Sequence, residues 1–115
     1  MIKLPPTELK VMNVIWDSEE KLCSKDIIEK LSDSVSWKRT TILTLLSRLI
    51  EKNFLLGEKI GRHTYYKKLI GKKDYADFET MEFMKNIHNN SIDSLISSLK
   101  KDKYLSNKDL DKIII

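Results

Sequence analysis

The sequence predicts a mainly α-helical protein with one small β-hairpin. Apolar residues recur at helical spacing along most of the chain, and three Gly and two Pro among 115 residues leave few points for long loops. One stretch, residues 54–69, is instead rich in β-forming residues around a Gly-Arg pair. The length suits one domain, or a small domain with a helical appendage, and 41% apolar with 33% charged residues describes an ordered soluble protein.

The first two helices are predicted from N-cap residues that precede short apolar stripes. Thr7 is a candidate cap for the first helix, which ends near Asp17. Ser24 is a candidate cap for a brief second helix, where Asp26 in the first turn suits the helix dipole. The stripes are Leu9, Met12, Ile15 and Trp16 in the first helix, and Ile27, Ile28 and Leu31 in the second.

The third predicted helix has Ser36 as its candidate N-cap and extends to Lys52. Its apolar residues fall at i, i+3, i+4 and i+7, which is the spacing of one buried face. They are Ile42, Leu45, Leu46 and Leu49.

The opposite face of this helix is rich in hydroxyl side chains. It carries Thr40, Thr44, Ser47 and Glu51, flanked by Leu43 on one side and by Trp37, Thr41 and Arg48 on the other. Short hydroxyl side chains let a helix approach a surface closely, and they can donate to phosphates or meet base edges. Thr and Ser could merely fill solvent positions, but Thr is a weak helix former, so we favour a functional surface.

A hairpin follows the third helix. Two β-capable runs, Phe54 to Ile60 and His63 to Leu69, flank Gly61 and Arg62. Three helices followed by a hairpin are the layout of a winged helix-turn-helix domain, so residues 36–52 are predicted to be a recognition helix for the major groove. The hairpin would be a wing whose tip residue Arg62 reaches phosphates or the adjacent minor groove, with Lys59, Lys67 and Lys68 nearby.

The net charge of +4 is concentrated in the middle of the chain. Residues 1–35 hold five Lys against seven acidic residues, residues 36–70 hold eight Lys and Arg against two, and residues 71–115 balance eight against eight. A focused basic block is typical of a protein that binds a polyanion, although a solvated basic face is the alternative. The candidate DNA-binding residues are Trp37, Lys38, Arg39, Thr40, Thr41, Leu43, Thr44, Ser47, Arg48 and Arg62.

Residues 71–115 are predicted to form a separate helical dimerisation domain beside a DNA-binding domain of residues 1–70. Asp74 is a candidate cap, and Ser106 with Asp109 resembles a capping box. These amphipathic helices lack the chain length to enclose their own core, so we expect them to pair with a second copy; the alternative is a monomer in which they fold back on the first domain. The expected dimerisation residues are Phe78, Met81, Met84, Ile92, Leu95, Ile96, Leu99, Leu110, Ile113 and Ile114.

Catalytic and metal-binding motifs are missing from the sequence. It contains no nucleophile elbow, P-loop, dinucleotide fingerprint or HExxH, and His63, His88 and Cys23 have no companions at ligand spacing. We therefore expect neither an enzyme nor a cofactor. Because no apolar run approaches membrane-spanning length and no leader precedes the fold, we expect a cytoplasmic protein that does not insert into membranes.

Four segments resemble the penicillinase repressor family (BlaI/MecI/CopY). They are TELKVMNVIW at 7–16, TTILTLLSRLIEKNFL at 40–55, GRHTYYKKL at 61–69 and a helical tail ending LSNKDLDKI. The resemblance implies a homodimeric repressor of β-lactamase or antibiotic-resistance genes that binds palindromic operators in double-stranded DNA. It also implies relief of repression when a membrane-bound sensor protease cuts the dimerisation region. The family's DNA contacts correspond here to Thr40, Thr41, Thr44 and Arg62.

Three departures from the family pattern affect these expectations. The arginine that staphylococcal members carry between Ile42 and Thr44 is Leu43 here, so we expect a different operator sequence. The scissile Asn-Phe pair of those members aligns with Ser98 and Leu99. The copper-responsive branch has a C-terminal CxC motif, whereas the one cysteine here is Cys23, so copper sensing is not expected. The main rival is a winged-helix protein-interaction module without sequence-specific DNA binding.

Overall fold

The computed structural model describes residues 1–101, 104 and 106–113. Those residues form helices and a small antiparallel sheet, which confirms the predicted fold class. The chain divides into two compact units, Met1–Ala76 and Asp77–Ile115. The elements are α1 (Pro6–Trp16), β1 (Leu22–Cys23), α2 (Ser24–Leu31), α3 (Arg39–Glu51), β2 (Leu55–Ile60), β3 (His63–Lys68), α4 (Lys72–Asn86), α5 (Ile92–Lys101) and α6 (Asn107–Ile113).

The predicted caps of α1 and α2 were wrong. Helix α1 begins at Pro6 after Pro5, so Thr7 lies inside the helix and no side chain caps it. Proline suits this position because its missing N–H would have had no helical partner. The N-cap of α2 is Cys23, one residue before the predicted Ser24, because Cys23 is extended and its backbone N donates to Asp26 Oδ2 at 3.1 Å.

The sheet has a third strand that was not predicted from the sequence. Strand β1 pairs with β3, so that the strand order is β1-β3-β2. Leu22 lies opposite Tyr66, and Cys23 lies opposite Tyr65. Two residues are too few to show the alternation by which strands are recognised in a sequence.

The predicted hairpin is confirmed. Strands β2 and β3 pair in register up to Ile60 opposite His63, and Gly61 in the turn has a φ of 66°, which favours glycine. Gly57 lies against α3, where an added Cβ would be 3.3 Å from Ile50 Cδ1. Since side chains alternate along a strand, Leu56 and Ile60 lie on the sheet face turned away from α3.

Helix α3 forms the centre of the first unit. Its predicted stripe of Ile42, Leu45, Leu46 and Leu49 is buried, as expected. The helix ends in a Schellman motif: Asn53 has a φ of 62°, and the backbone N of Phe54 donates to Leu49 O at 2.9 Å. Phe54 and Leu49 are both completely buried, so this helix end is fixed by packing as well as by hydrogen bonds.

A partly buried ion pair joins α1 to the end of α3. Glu8 has 2% of its surface exposed, and its Oε1 lies 2.5 Å from Nζ of Lys52, the C-cap residue of α3. The carboxylate lies in the first turn of α1, and the ammonium lies at the end of α3, so each charge complements its own helix dipole. The pair therefore ties the two helices together at a defined position.

The start of α4 belongs to the first unit. Tyr75 is buried and its Oη accepts a hydrogen bond from Leu4 N at 2.7 Å. Its ring centroid lies 5.6 Å from that of Trp16 and 5.5 Å from that of Phe54. Trp16, the last residue of the predicted apolar stripe of α1, is only partly buried, and its Nε1 donates to Ile70 O at 2.9 Å.

The second unit contains the rest of α4 with α5 and α6. His88 is buried, its Nδ1 lies 2.8 Å from Ser94 Oγ, and its ring packs edge-on against Phe83. The predicted capping box of α6 is confirmed, because Ser106 N donates to Asp109 Oδ2 and Asp109 N donates to Ser106 Oγ. Asp74 lies within the first turn of α4 and is not its cap.

We expect Lys52→Met to lower the free energy of unfolding by about 3 kcal/mol, because the buried carboxylate of Glu8 loses its ion-pair partner. Replacing both residues, Glu8→Leu with Lys52→Met, should recover most of that loss. Urea denaturation measures both effects. Lys10→Met, at an exposed position of α1, is the matched control. Equal stability of Lys52→Met and the wild type would show that the pair contributes nothing.

The α2 cap should make stability depend on acidity. Hydrogen bonds from the backbone N and the Sγ of Cys23 hold the pKa of Asp26 below its usual 3.8. A carboxyl group with a lowered folded-state pKa stabilises above its unfolded pKa, and that stabilisation disappears as the pH falls through the folded pKa.

Asp26→Asn should therefore lower the thermal midpoint at neutral pH and flatten its decline below about pH 4. Thermal unfolding followed by circular dichroism across this range measures the difference. Asp33→Asn, at an exposed position after α2, serves as the control. If the thermal midpoint of Asp26→Asn fell as steeply with decreasing pH as that of the wild type, this account of the cap would be refuted.

Candidate nucleic-acid interface

The outer face of α3 carries the hydroxyl groups that the sequence analysis singled out. Burial of the apolar stripe turns this face to solvent. Leu43 lies among these residues and is half-buried. The exposed members of the predicted set on this helix are Arg39, Thr40, Thr41, Thr44, Ser47 and Arg48.

One of these hydroxyls is already engaged within the helix. Thr44 Oγ1 donates to the carbonyl O of Thr40 at 2.9 Å. The hydroxyl proton is thereby directed along the helix, and the Thr44 side chain offers its methyl group and oxygen lone pairs to an approaching molecule. Thr44 is therefore suited to apolar contacts and to accepting hydrogen bonds.

Helix α3 begins later than predicted. Its first residue is Arg39 and its N-cap is Lys38, so Ser36 is not the cap, and Trp37 and Lys38 precede the helix. No side chain caps this end and no acidic residue lies in its first turn, whereas α1 and α2 have Glu8 and Asp26 there. The positive end of the α3 dipole is accordingly surrounded by basic side chains, which favours an external anion.

The hairpin supplies a second basic surface. Arg62 is exposed at the turn, and Lys59 and Lys67 are exposed on the strands beside it. Among the described residues, neither Arg48 nor Arg62 has an ion-pair partner. These side chains keep their full charge available for a partner.

Other basic residues of the middle block are occupied within the first unit. Lys52 pairs with buried Glu8, and Lys68 Nζ donates to Ser18 O at 3.0 Å. Glu58 on β2 is neutralised in turn by Lys21 at 3.0 Å. These contacts were not predicted, because their partners lie far away along the chain and leave no local pattern in the sequence.

The expected dimerisation residues differ widely in exposure. Met81 and Ile92 are exposed at 68% and 63%, whereas Met84 is buried within the chain. Phe83 and Ile87, which the predicted set omitted, are also exposed at 44% and 65%. Phe78, Leu95, Ile96 and Leu99 are half-buried; Ile114 falls outside the described residues, as do the side chains of Leu110 and Ile113.

Two further kinds of feature are absent from the described part of the chain. It contains no cluster of His, Cys, Asp and Glu side chains that could hold a metal ion. Within the same residues, no helix combines the length and apolar character that crossing a bilayer requires. Cys23 is buried and donates from Sγ to Asp26 within the α2 cap.

Comparison with known sequences confirms the family resemblance. A model of the family described as penicillinase repressor matches residues 4–114. The penicillinase repressor of Bacillus licheniformis is 30% identical over 116 residues, which cover 98% of this chain and 90% of that protein. The methicillin resistance regulatory protein MecI of Staphylococcus aureus (strain N315) is 24% identical over 111 residues, covering 96% of this chain and 89% of that protein.

Two solved structures share the fold and confirm the winged helix. The solution structure of the DNA-binding domain of the repressor BlaI has a TM-score of 0.58 and 37% identity, covering 64% of this chain and 88% of that domain. The solution structure of Bacillus licheniformis BlaI in its monomeric form, in complex with the blaP half-operator, has a TM-score of 0.55 and 36% identity. That match covers 64% of this chain and 89% of the solved chain.

Proposed function

The chain belongs to the penicillinase repressor family, whose members are repressors and not enzymes, and we propose that it is a homodimeric transcriptional repressor that binds two-fold symmetric operators in duplex DNA. The observation that carries this proposal is the coincidence of two features in the first unit. The hydroxyl-rich face of α3 is exposed, and the wing presents Arg62 without an ion-pair partner among the described residues. The BlaI chain solved with its half-operator supports the same use of the fold.

The two surfaces have separate roles in this proposal. The face of α3 enters the major groove, where Thr40, Thr44 and Ser47 approach base edges closely because their side chains are short. Arg48 and Arg62 contact phosphates, which fixes the register of the domain on the duplex. Leu43 lies where staphylococcal members carry an arginine, so it would make an apolar base contact in place of a polar one. Such a contact suits the methyl group of a thymine.

We propose that the second unit joins two chains. Exposed apolar side chains on α4, in the turn that follows it and at the start of α5 are Met81, Phe83, Ile87 and Ile92. Exposed apolar patches of this kind mark interaction surfaces, and a second copy of the chain is the partner that gives a two-fold symmetric reader. Linking two half-site binders makes the second DNA contact intramolecular and raises the affinity for a full operator.

The finer parts of the proposal concern regulation. We propose a cytoplasmic repressor of β-lactamase or antibiotic-resistance genes that a membrane sensor protease inactivates. Cleavage between Ser98, which is exposed, and half-buried Leu99 would detach the end of α5 and all of α6. Since these residues lie within a helix, the last turns of α5 must open before a protease can bind them.

A winged-helix module that binds an acidic protein is the alternative function. The basic block would serve that partner equally well in electrostatic terms. The hydroxyl-rich, closely approachable face of α3 favours DNA, because an acidic protein surface has no grooves that require short side chains. Failure of the protein to bind any duplex at low salt would favour the alternative.

The test of DNA binding is fluorescence anisotropy on promoter DNA from upstream of the protein's own gene, against scrambled DNA, across several salt concentrations. We expect selective binding at two chains per site. The logarithm of affinity should fall linearly with the logarithm of salt concentration, with a slope of about 0.9 per phosphate neutralised. Arg48→Ala and Arg62→Ala should each lower that slope by about one.

Lys10→Ala is the matched control, because Lys10 is an exposed lysine on α1, the helix that packs against α3. Its slope should equal that of the wild type. Unchanged slopes in both arginine variants would remove these residues from the interface. Equal, weak binding of the wild type to both duplexes would contradict sequence-specific binding altogether.

The dimer is tested by the double variant Met81→Glu/Ile87→Glu. We expect it to sediment as a monomer at micromolar concentration, because two charges replace exposed apolar contacts. It should keep its affinity for a half-site and lose about 100-fold or more on the full operator. Thr80→Glu, which adds a charge at an exposed polar position of α4, should remain dimeric. A fully dimeric double variant would place the dimer contact elsewhere.

A further inference from the structure

An aliphatic side chain lies exposed at the tip of the wing. Ile60 is the last residue of β2, pairs with His63 across the turn and has 50% of its surface exposed. It lies on the sheet face turned away from α3, because Gly57, on the opposite face, is the residue against Ile50. Half of the Ile60 surface is therefore open to a partner.

The surroundings of Ile60 are basic. Lys59 precedes it and Arg62 follows one residue after Gly61, and both are exposed. The nearest acidic residue on the strand, Glu58, is paired with Lys21 at 3.0 Å. A second copy of the same tip would bring like charges together, so the charge of the tip fits a polyanion and not another wing.

We propose that Ile60 is a DNA-binding residue that packs into the minor groove beside the half-site. The inference rests on the proposed function, in which the wing contacts DNA, and it adds a contact of a different chemical kind. Lys59 and Arg62 attract the phosphates on either side of the groove, and Ile60 contacts the deoxyribose rings and base edges between them. Proteins that bind the minor groove frequently place apolar side chains, including Ile and Leu, into it, where they wedge against the base steps.

An apolar contact has a distinctive signature. Removing a phosphate contact reduces the number of counterions released and so flattens the salt dependence. Removing a contact made by Ile60 lowers affinity at every salt concentration and leaves the slope unchanged, because no charge is lost. The two kinds of wing residue can therefore be separated in one titration.

The variant to test is Ile60→Thr, since threonine keeps the β-branched shape that suits a strand while removing apolar surface. We expect about tenfold weaker binding to the full operator, the size expected for losing part of one buried aliphatic side chain, with an unchanged salt slope. Leu56→Thr is the matched control. Leu56 has the same exposed fraction of 50% and lies on the same face of the same strand, at the end away from the turn.

Hydroxyl-radical footprinting provides the second measurement, because these radicals attack sugars from the minor groove. The wild type and Leu56→Thr should protect the sugars that flank each half-site, and Ile60→Thr should lose that protection while keeping protection within the half-site. If both variants melt at the same temperature as the wild type, the hairpin is intact.

The outcomes separate this inference from the function on which it rests. If the wild type selects the operator and Ile60→Thr binds it with the same affinity, the inference about Ile60 is overturned and the proposed function stands. If the wild type itself does not select an operator, the proposed function is overturned. If Ile60→Thr and Leu56→Thr lost the same operator affinity, the assignment of the DNA contact to the tip of the wing would also be overturned. Weaker self-association of Ile60→Thr without DNA would assign Ile60 to a contact with a second chain instead.

Discussion

Burial of one stripe on α3 determines which surface the first unit can offer. Ile42, Leu45, Leu46 and Leu49 are at most 4% exposed, and each buried aliphatic side chain of this size contributes about 1.5–3 kcal/mol. Rotating the helix to present another face would expose this stripe to water. Because an α-helix turns about 100° per residue, the same burial turns Thr40, Thr44 and Ser47 outward. The packing of the core therefore also determines which side chains lie on the outer face of α3.

The buried stripe fixes the rotation of α3 about its own axis, and contacts at the end of α3 fix its position along that axis. The Schellman motif holds Asn53 and Phe54 at a defined position, and the chain enters β2 directly afterwards. The ion pair between Glu8 and Lys52 opposes sliding of α3 along α1, because a buried carboxylate without its partner is costly. The outer face of α3 and the wing that follows it are consequently held by contacts within a single unit, which suits a surface that must match a rigid duplex.

Periodic features of this structure could be predicted from the sequence, and features that depend on distant partners could not. The α3 stripe and the hairpin around Gly61 follow from spacing and turn chemistry, so the stripe was predicted at the correct residues and the hairpin to within one residue at each outer end. The start of α3 was misplaced because Ser36 has the chemistry of a cap, while the backbone enters the helix only after Lys38. The pair of Glu8 and Lys52 spans 44 residues, and no local pattern reveals it. Of the interface, the hydroxyl face was predictable, whereas the lysines occupied by internal partners were not.

The composition of this interface explains why a second unit matters. The middle of the α3 face carries hydroxyl and aliphatic groups, which discriminate between bases less strongly than bidentate Arg or Asn contacts do. One such face and one wing would therefore select a half-site only modestly, and most of their affinity would come from phosphates and depend on salt. Joining two faces at a fixed spacing multiplies both selectivity and affinity without any new base contact. If the exposed apolar residues Met81 and Ile87 join two chains as we propose, weakening their contacts would release DNA while leaving every proposed DNA-contacting residue intact.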